Sequence, residues 1–354
     1  MKLDAVIIGG GIVGLTIARY YSEKFPSDII ALFESSDFLG EGNTSRNSGV
    51  LHAGLYYETG SQKHQFCVRG NQIWRKWKDE FDMDVTICGK YLVASTQSEI
   101  ASLEDLYGQA LKNNIPDVSW ISSEKIDHVA KVEKCFFSGT TGYINVPEAI
   151  KKLELLLLKK DIPIFLKNKV ENIEKIEDGF KIKTSREEFE SKRVFNAAGF
   201  GAIELRKKLD LTEFENVFVK GNYLRVKKKY FNESLIYPVP LKNLKGLGVH
   251  TTIDSGGVVR FGPNAIDVDS YDYKVNEDSV KQMWPEIRAL FKGLKKDDLM
   301  IDYAGVRTKL AKNGATYKDF HVSAPIEGYF EAIGIESPGL TSAPAIAEFL
   351  VDKI

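Results

Sequence analysis

Apolar and polar positions alternate in two different rhythms along this chain, and the change from one to the other marks its elements. Residues 5–8 are a continuous apolar run that reads as a buried strand, and Ile12, Leu15, Ile17, Ala18 and Tyr21 then fall on one face of a helix. A second apolar run over 28–33 completes a β-α-β unit, after which 35–46 turns polar and rich in Gly, Ser, Asn and Thr. Trp74, Trp77 and Phe81 are spaced for a single helix face, a stripe that predicts core. Further along, the pattern predicts a strand at 91–95, a helix at 99–113 and a serine-capped helix start at 122–126. A helix at 147–160 and a strand at 162–166 follow. Period-two alternation over 169–177 and 179–184, around Glu177-Asp178-Gly179, predicts a hairpin. Residues 194–201 read as a buried strand ending in a glycine turn. Strands at 223–226, 246–252 and 258–261 precede a helix at 280–291, and the chain closes with a strand at 329–335 and a helix at 345–351.

The first strand-turn-helix carries Gly9, Gly11 and Gly14 at the spacing of a dinucleotide fingerprint. Gly9 permits the tight turn, Gly11 lets backbone approach a pyrophosphate, and Gly14 lets the helix lie close to the strand. Ile12 and Val13 open the helix whose N-terminus would face the phosphate charge. Glu34 ends the second strand, where an acidic group binds a ribose hydroxyl, and Ser35, Thr44 and Ser45 in the polar loop suit phosphate contacts.

Composition narrows the classes. With 354 residues and 43% hydrophobic content the chain is long enough for two cores. The formal charge is −1 and the lysine clusters are isolated, so the electrostatic footprint of a nucleic-acid binder is missing. No apolar run approaches the ~20 residues of a membrane span, which leaves only peripheral membrane contact open. The fingerprint strand begins at residue 4, with no leader before it, and cytoplasm is the expected compartment. Cys67, Cys88 and Cys135 match no zinc or disulfide spacing, and the five histidines form no i, i+4 pair, so no metal is expected.

A nicotinamide dehydrogenase completes its dinucleotide domain as one block of alternating strands and helices. Here the alternation stops after Glu34 and resumes only near Val146, which favours FAD over NAD. The expected fold is α/β: a Rossmann-like FAD-binding domain of discontinuous segments (1–85, 146–216 and 304–354) with an inserted antiparallel β-sheet substrate domain (86–145 and 217–303).

Residues 9–14, Glu34, 45–57 and 334–341 together resemble the D-amino-acid-oxidase-like FAD-dependent oxidoreductases, along nearly the whole chain. Within them, 47–57, Gly60-Ser61, Cys88-Gly89-Lys90, Tyr237-Pro238-Val239-Pro240, 248–250, 261–265 and 304–307 look most like L-2-hydroxyglutarate dehydrogenases and oxidases. The resemblance implies flavin contacts from Asn47, Ser48, Gly49 and His52, from Val170, Ala198 and Gly199 on the returning sheet, and from Arg307. It implies further contacts from Gly334, Ser337, Pro338, Gly339, Leu340 and Thr341, where a helix start would face the negative N1 and C2 oxygen edge of reduced flavin.

Oxidising a 2-hydroxy acid requires a proton acceptor, a hydride acceptor and a clamp for the carboxylate. His52 is one candidate base and His250 its rival, and either is equally suited to a hydrogen-bonding role. Arg307 resembles the arginine that grips the substrate carboxylate, and Tyr56 and Lys309, then Lys90, are candidates for further substrate contacts, including to a distal carboxylate. The implied substrate is a small carboxylate, L-2-hydroxyglutarate first. Oxidation of an amine such as glycine or sarcosine, or of glycerol 3-phosphate, stays open, as does a non-catalytic flavoprotein. The electron acceptor, whether oxygen, a quinone or a carrier protein, is not legible.

Overall fold

The computed structural model describes residues 2–240 and 248–354. Three distant stretches of chain meet in one sheet. The strand Lys2–Ile8 is flanked in parallel by Ile30–Phe33 on one side and by the strand Glu188–Asn196 on the other. Ile164–Phe165 extends one edge, and Tyr329–Ile333 pairs in parallel with Val194, Phe195 and Asn196. Parallel strands covered on both faces read as unbroken apolar runs, which is why these segments lacked alternation in the sequence. The hairpin Val170–Ile176 and Gly179–Thr184 adds to the same sheet through Glu188–Asn196, closing at the Ile176 and Gly179 pair.

Helices Ile12–Lys24, Val146–Leu158 and Gly339–Val351 bury their apolar faces in one cluster on this sheet, and Gln62–Glu80 packs against the last of them. The Trp74 and Trp77 stripe is core there, as its spacing predicts. Close helix approach depends on Gly70: a Cβ at that position would stand 2.0 Å from the Thr341 carbonyl oxygen.

The closing helix begins at Gly339, within the segment where the resemblance implies a helix start and six residues before the 345 that the apolar pattern predicts, and it runs through Pro344. A proline there lacks the N–H that would bond the carbonyl four residues back, that of Leu340. The Trp74 indole N–H donates to that carbonyl instead, at 3.0 Å, so the helix passes the proline with its backbone satisfied.

The remaining strands form separate sheets. One orders His250–Ile253, Val259–Gly262, Phe214–Val226, Leu299–Lys312 and Ala315–Tyr317, with Ile266–Val268 also on Phe214–Val226. Another orders Leu235–Pro238, Lys90–Ala94, Lys134–Ser138 and Val118–Ile121. The strand expected at 223–226 runs from Phe214, because its polar positions, Asn216, Lys220 and Asn222 among them, hide the alternation. Lys220 is buried and paired with Asp272 at 2.6 Å. The strand expected at 246–252 is seen at His250–Ile253, and its first two positions lie outside the described residues. No helix among the described residues is long and apolar enough to cross a membrane.

Candidate active site

A cavity of about 1560 Å³ runs between the parallel sheet and the sheet of Phe214–Val226 and Leu299–Lys312. That volume exceeds the roughly 300–1,000 Å³ of a site for one drug-sized ligand. Its lining includes Glu34, Ser35, Lys169, Val170 and Glu171, then Gly9, Gly11, Ile12, Val13 and Thr44, and also His52, Tyr56, Tyr237, His250 and Arg307.

Two helix N-termini open onto it. Helix Ile12–Lys24 has Gly11 as its cap, with no side-chain cap, and helix Gly339–Val351 likewise starts at Pro338 without one. The Ile12 N–H is taken by the Thr44 hydroxyl at 3.1 Å and the Gly339 N–H by the Glu336 carbonyl at 2.6 Å, while the positive end of each helix dipole suits phosphate at one and a negative ring edge at the other. The Glu34 carboxylate is held by the Gly10 N–H at 2.7 Å and the Ser36 N–H at 2.7 Å, so it stands fixed in the cavity wall. A cavity of this volume, with glycine backbone and two helix N-termini along it, fits a dinucleotide such as FAD.

Most residues singled out in the sequence line this cavity: Gly9, Gly11, Ile12, Val13, Glu34, Ser35, Thr44, Asn47, Ser48, His52, Tyr56, Val170, Ala198, Gly199, His250, Arg307, Lys309, Gly334, Ser337, Pro338, Gly339 and Leu340. Four do not reach it. Gly14 is a packing glycine, since a Cβ there would stand 1.9 Å from the Gly9 carbonyl oxygen. The Ser45 hydroxyl turns back to the Glu41 carbonyl at 3.1 Å. Gly49 takes a positive φ of 69° and donates its N–H to the Asn47 side chain. Thr341 lies behind the wall, its hydroxyl accepting from the His52 N–H at 3.0 Å.

That last bond ties the histidine to the closing helix. The His52 carbonyl is held in turn by the Asn71 amide at 3.0 Å, and its Nε2 lies 3.3 Å from the Ser337 hydroxyl. Burial, with Lys90 and His250 adding to it, holds the His52 imidazole well below its usual value. Burial also lowers His250, to about 3. The His250 Nδ1 lies 2.7 Å from the Gly248 carbonyl, which can only accept, so Nδ1 holds the proton and Nε2 is left with a free lone pair. Its ring stacks on Tyr237 at 3.8 Å between centroids. Arg307 stands opposite Val219 in the sheet, makes one long bond to the Asn264 carbonyl at 3.4 Å, and has its buried Nη1 without a partner. Lys309 instead joins Lys63 around Glu336, at 3.5 Å and 2.8 Å respectively.

Sequence reasoning gave no role to Tyr237, Tyr223 or Tyr57, and Lys90 entered only as the last of the candidate substrate contacts. Lys90 is fully buried and its Nζ has no hydrogen-bond partner. The rings of Tyr56 and Tyr237 flank it at 4.8 and 4.5 Å. Two cation-π contacts at about 1–2 kcal/mol each fall short of offsetting the several kcal/mol lost on desolvating an unpaired ammonium. Burial accordingly lowers Lys90 to about 7. The signal available in the sequence was the Cys88-Gly89-Lys90 and Tyr237-Pro238 motifs, which the folded sheet places on neighbouring strands, with Lys90 opposite Leu235.

The family model for FAD dependent oxidoreductases matches residues 4–353. The chain is 29% identical to the mitochondrial L-2-hydroxyglutarate dehydrogenase of Arabidopsis thaliana, covering 99% of this chain and 83% of that one. It is 28% identical to the glycerol 3-phosphate dehydrogenase of Caloramator mitchellensis, over 99% of this chain and 73% of that one. Among solved structures, the reduced, FAD-bound L-alpha-glycerophosphate oxidase of Mycoplasma pneumoniae superposes with a TM-score of 0.87 at 23% identity, over 99% of this chain and 94% of that one. The sheet of three distant segments, the large cavity with its two helix N-termini and the match over almost the full length lead to one conclusion: this chain belongs to the FAD-dependent oxidoreductase family.

Proposed function

We propose that the protein oxidises a small 2-hydroxy carboxylate, L-2-hydroxyglutarate first, to the corresponding 2-oxo acid. The observation that carries this reading is a neutral histidine pair and an arginine with an unfilled buried donor, all lining the cavity. Bound FAD would supply the two-electron acceptor, taking the hydride from the hydroxyl-bearing carbon at N5.

The chain's residues supply the rest. Arg307 binds the C1 carboxylate through the Nη1 donor that has no partner among the described residues. His52 accepts the hydroxyl proton: its neutral form is favoured by burial, and its backbone is fixed from both sides by Thr341 and Asn71. His250, whose Nε2 is likewise a free acceptor, is the rival base, since the single hydroxyl proton can go to only one of the two rings. Tyr56 completes the wall, and Lys309, engaged with Glu336, holds the closing segment in place rather than touching substrate. We place the reaction in the cytoplasm, with the electron acceptor undetermined by this site.

The test is anaerobic addition of L-2-hydroxyglutarate, L-lactate, glycerol 3-phosphate, sarcosine and glycine in turn to the FAD-loaded protein. Bleaching of the flavin absorbance by L-2-hydroxyglutarate is expected. Bleaching only by glycerol 3-phosphate, the substrate named for one relative, would replace the reading with that activity.

A further inference from the structure

Resting on the proposed reaction, the corner formed by Lys90, Tyr56 and Tyr237 has a chemistry that Arg307 alone does not explain. Three polar groups are gathered there with nothing to bind. The Lys90 ammonium and the hydroxyls of Tyr56 and Tyr237 are all buried and all lack a hydrogen-bond partner. Both tyrosines line the cavity, and the lysine lies between their rings.

No described residue supplies the missing negative charge. Cys67, from helix Gln62–Glu80, and Cys88, just before the strand of Lys90, are the ionisable groups whose charge would favour the ammonium. Burial pushes both thiols up, Cys88 to about 11, so neither is a thiolate near neutral pH. Burial also raises both tyrosines, keeping their hydroxyls protonated as donors, and ionising Tyr56 would raise Tyr237 further, so the two hydroxyls are near neighbours. His52 and His250 face Lys90 as neutral rings. Two orphaned hydroxyl donors and an unbalanced cation at a cavity wall are what an anion requires.

The placement of His250 adds direction. Both Lys90 and Arg307 act on its imidazole as neighbouring positive charges. Both cations thus lie near one histidine, the arrangement a ligand with two acidic groups would meet.

We propose that the Lys90, Tyr56 and Tyr237 corner binds the second carboxylate of the substrate and so selects dicarboxylic over monocarboxylic 2-hydroxy acids. The tyrosine hydroxyls donate to this carboxylate, and Lys90, behind them, supplies the balancing charge. Because the free lysine titrates near neutrality, a bound carboxylate draws a proton onto it. Dicarboxylate affinity is then full below pH about 7 and falls above it, by up to tenfold per unit, until the raised value of the complex is reached.

The experiment compares L-2-hydroxyglutarate with L-2-hydroxybutyrate on the FAD-loaded wild type and on Lys90→Met, Lys90→Arg and Tyr237→Phe. The ratio of kcat/KM for the dicarboxylate to that for the monocarboxylate is expected to fall at least about 30-fold in Lys90→Met and several-fold in Tyr237→Phe, with Lys90→Arg between wild type and Lys90→Met. A ratio unchanged while both values drop together overturns the proposal, since the lysine would then serve the fold or the proton step. Should Lys90→Met fail to hold FAD, Tyr237→Phe and Tyr56→Phe give the same ratio test. If the wild type oxidises neither acid, the reading of the reaction fails by itself. Binding of glutarate and butyrate, followed by flavin absorbance from pH 6 to 9, then decides: a glutarate preference lost above pH about 7 supports the corner, and equal binding overturns it.

Discussion

Replacing Arg307 by Met separates binding from stability in a way only an unpaired charge allows. In most buried ion pairs, removal of one partner strands the other and costs about 3–5 kcal/mol of folding free energy. Arg307 has no such partner: its single bond to the Asn264 carbonyl is 3.4 Å long and Nη1 has none. Arg307→Met therefore removes an unbalanced cation while filling most of its volume, and the unfolding midpoint of the FAD-free protein should stay level or rise. Substrate binding should behave oppositely. Loss of a charge-assisted carboxylate contact is worth about 1.5–3 kcal/mol, or roughly a 10- to 100-fold weaker affinity. Single-turnover flavin reduction against substrate concentration measures this as a rise in the half-saturating concentration. Thermal unfolding of the same preparations measures the other half. A variant that unfolds several degrees lower with unchanged half-saturation would refute the argument, because Arg307 would then be a structural residue.

His52 and His250 make a pH prediction. Their folded values lie below the usual 6.5, His250 at about 3, so the unfolded chain takes up more protons as pH falls. Their contribution to stability is therefore fully present above pH 6.5 and is lost as pH falls toward the folded values. For catalysis, His52 stays neutral, and flavin reduction at saturating substrate should be flat from pH 6.5 to 8 with its acid limb lower. His52→Asn should slow it by roughly 10²- to 10⁴-fold; an acid limb at pH 6.5, or an unaffected rate, contradicts the assignment. Gly70→Ala should push helix Gly339–Val351 away, since backbone rather than a flexible side-chain end meets the new Cβ. It should lower stability by about 1–3 kcal/mol and weaken FAD binding, read by denaturant unfolding and flavin fluorescence titration. Gly108→Ala, with open space around it on helix Ile100–Lys112, is the contrast and should be neutral or stabilising.

The sequence by itself determined the parts whose physics is local. A glycine fingerprint needs only a strand, a turn and a helix within a few residues, so Gly9, Gly11 and Glu34 were legible without any fold. Parallel strands buried on both faces announce themselves as apolar runs, and the Trp74 and Trp77 stripe as a helix face. What tertiary structure decided is everything that depends on partners far away in the chain. The start of the last helix turned on Trp74 reaching a carbonyl that Pro344 leaves free, a contact spanning 266 positions. Gly14 packs helix against strand as its motif reads, whereas Thr341 carried the right motif yet lies behind the wall, because pattern gives spacing but not which side of a wall a residue occupies. Lys90 shows the limit most clearly. A lysine in sequence is a solvated charge by default, and only its burial between two tyrosine rings, with no carboxylate in reach among the described residues, turns it into a group that needs an anion.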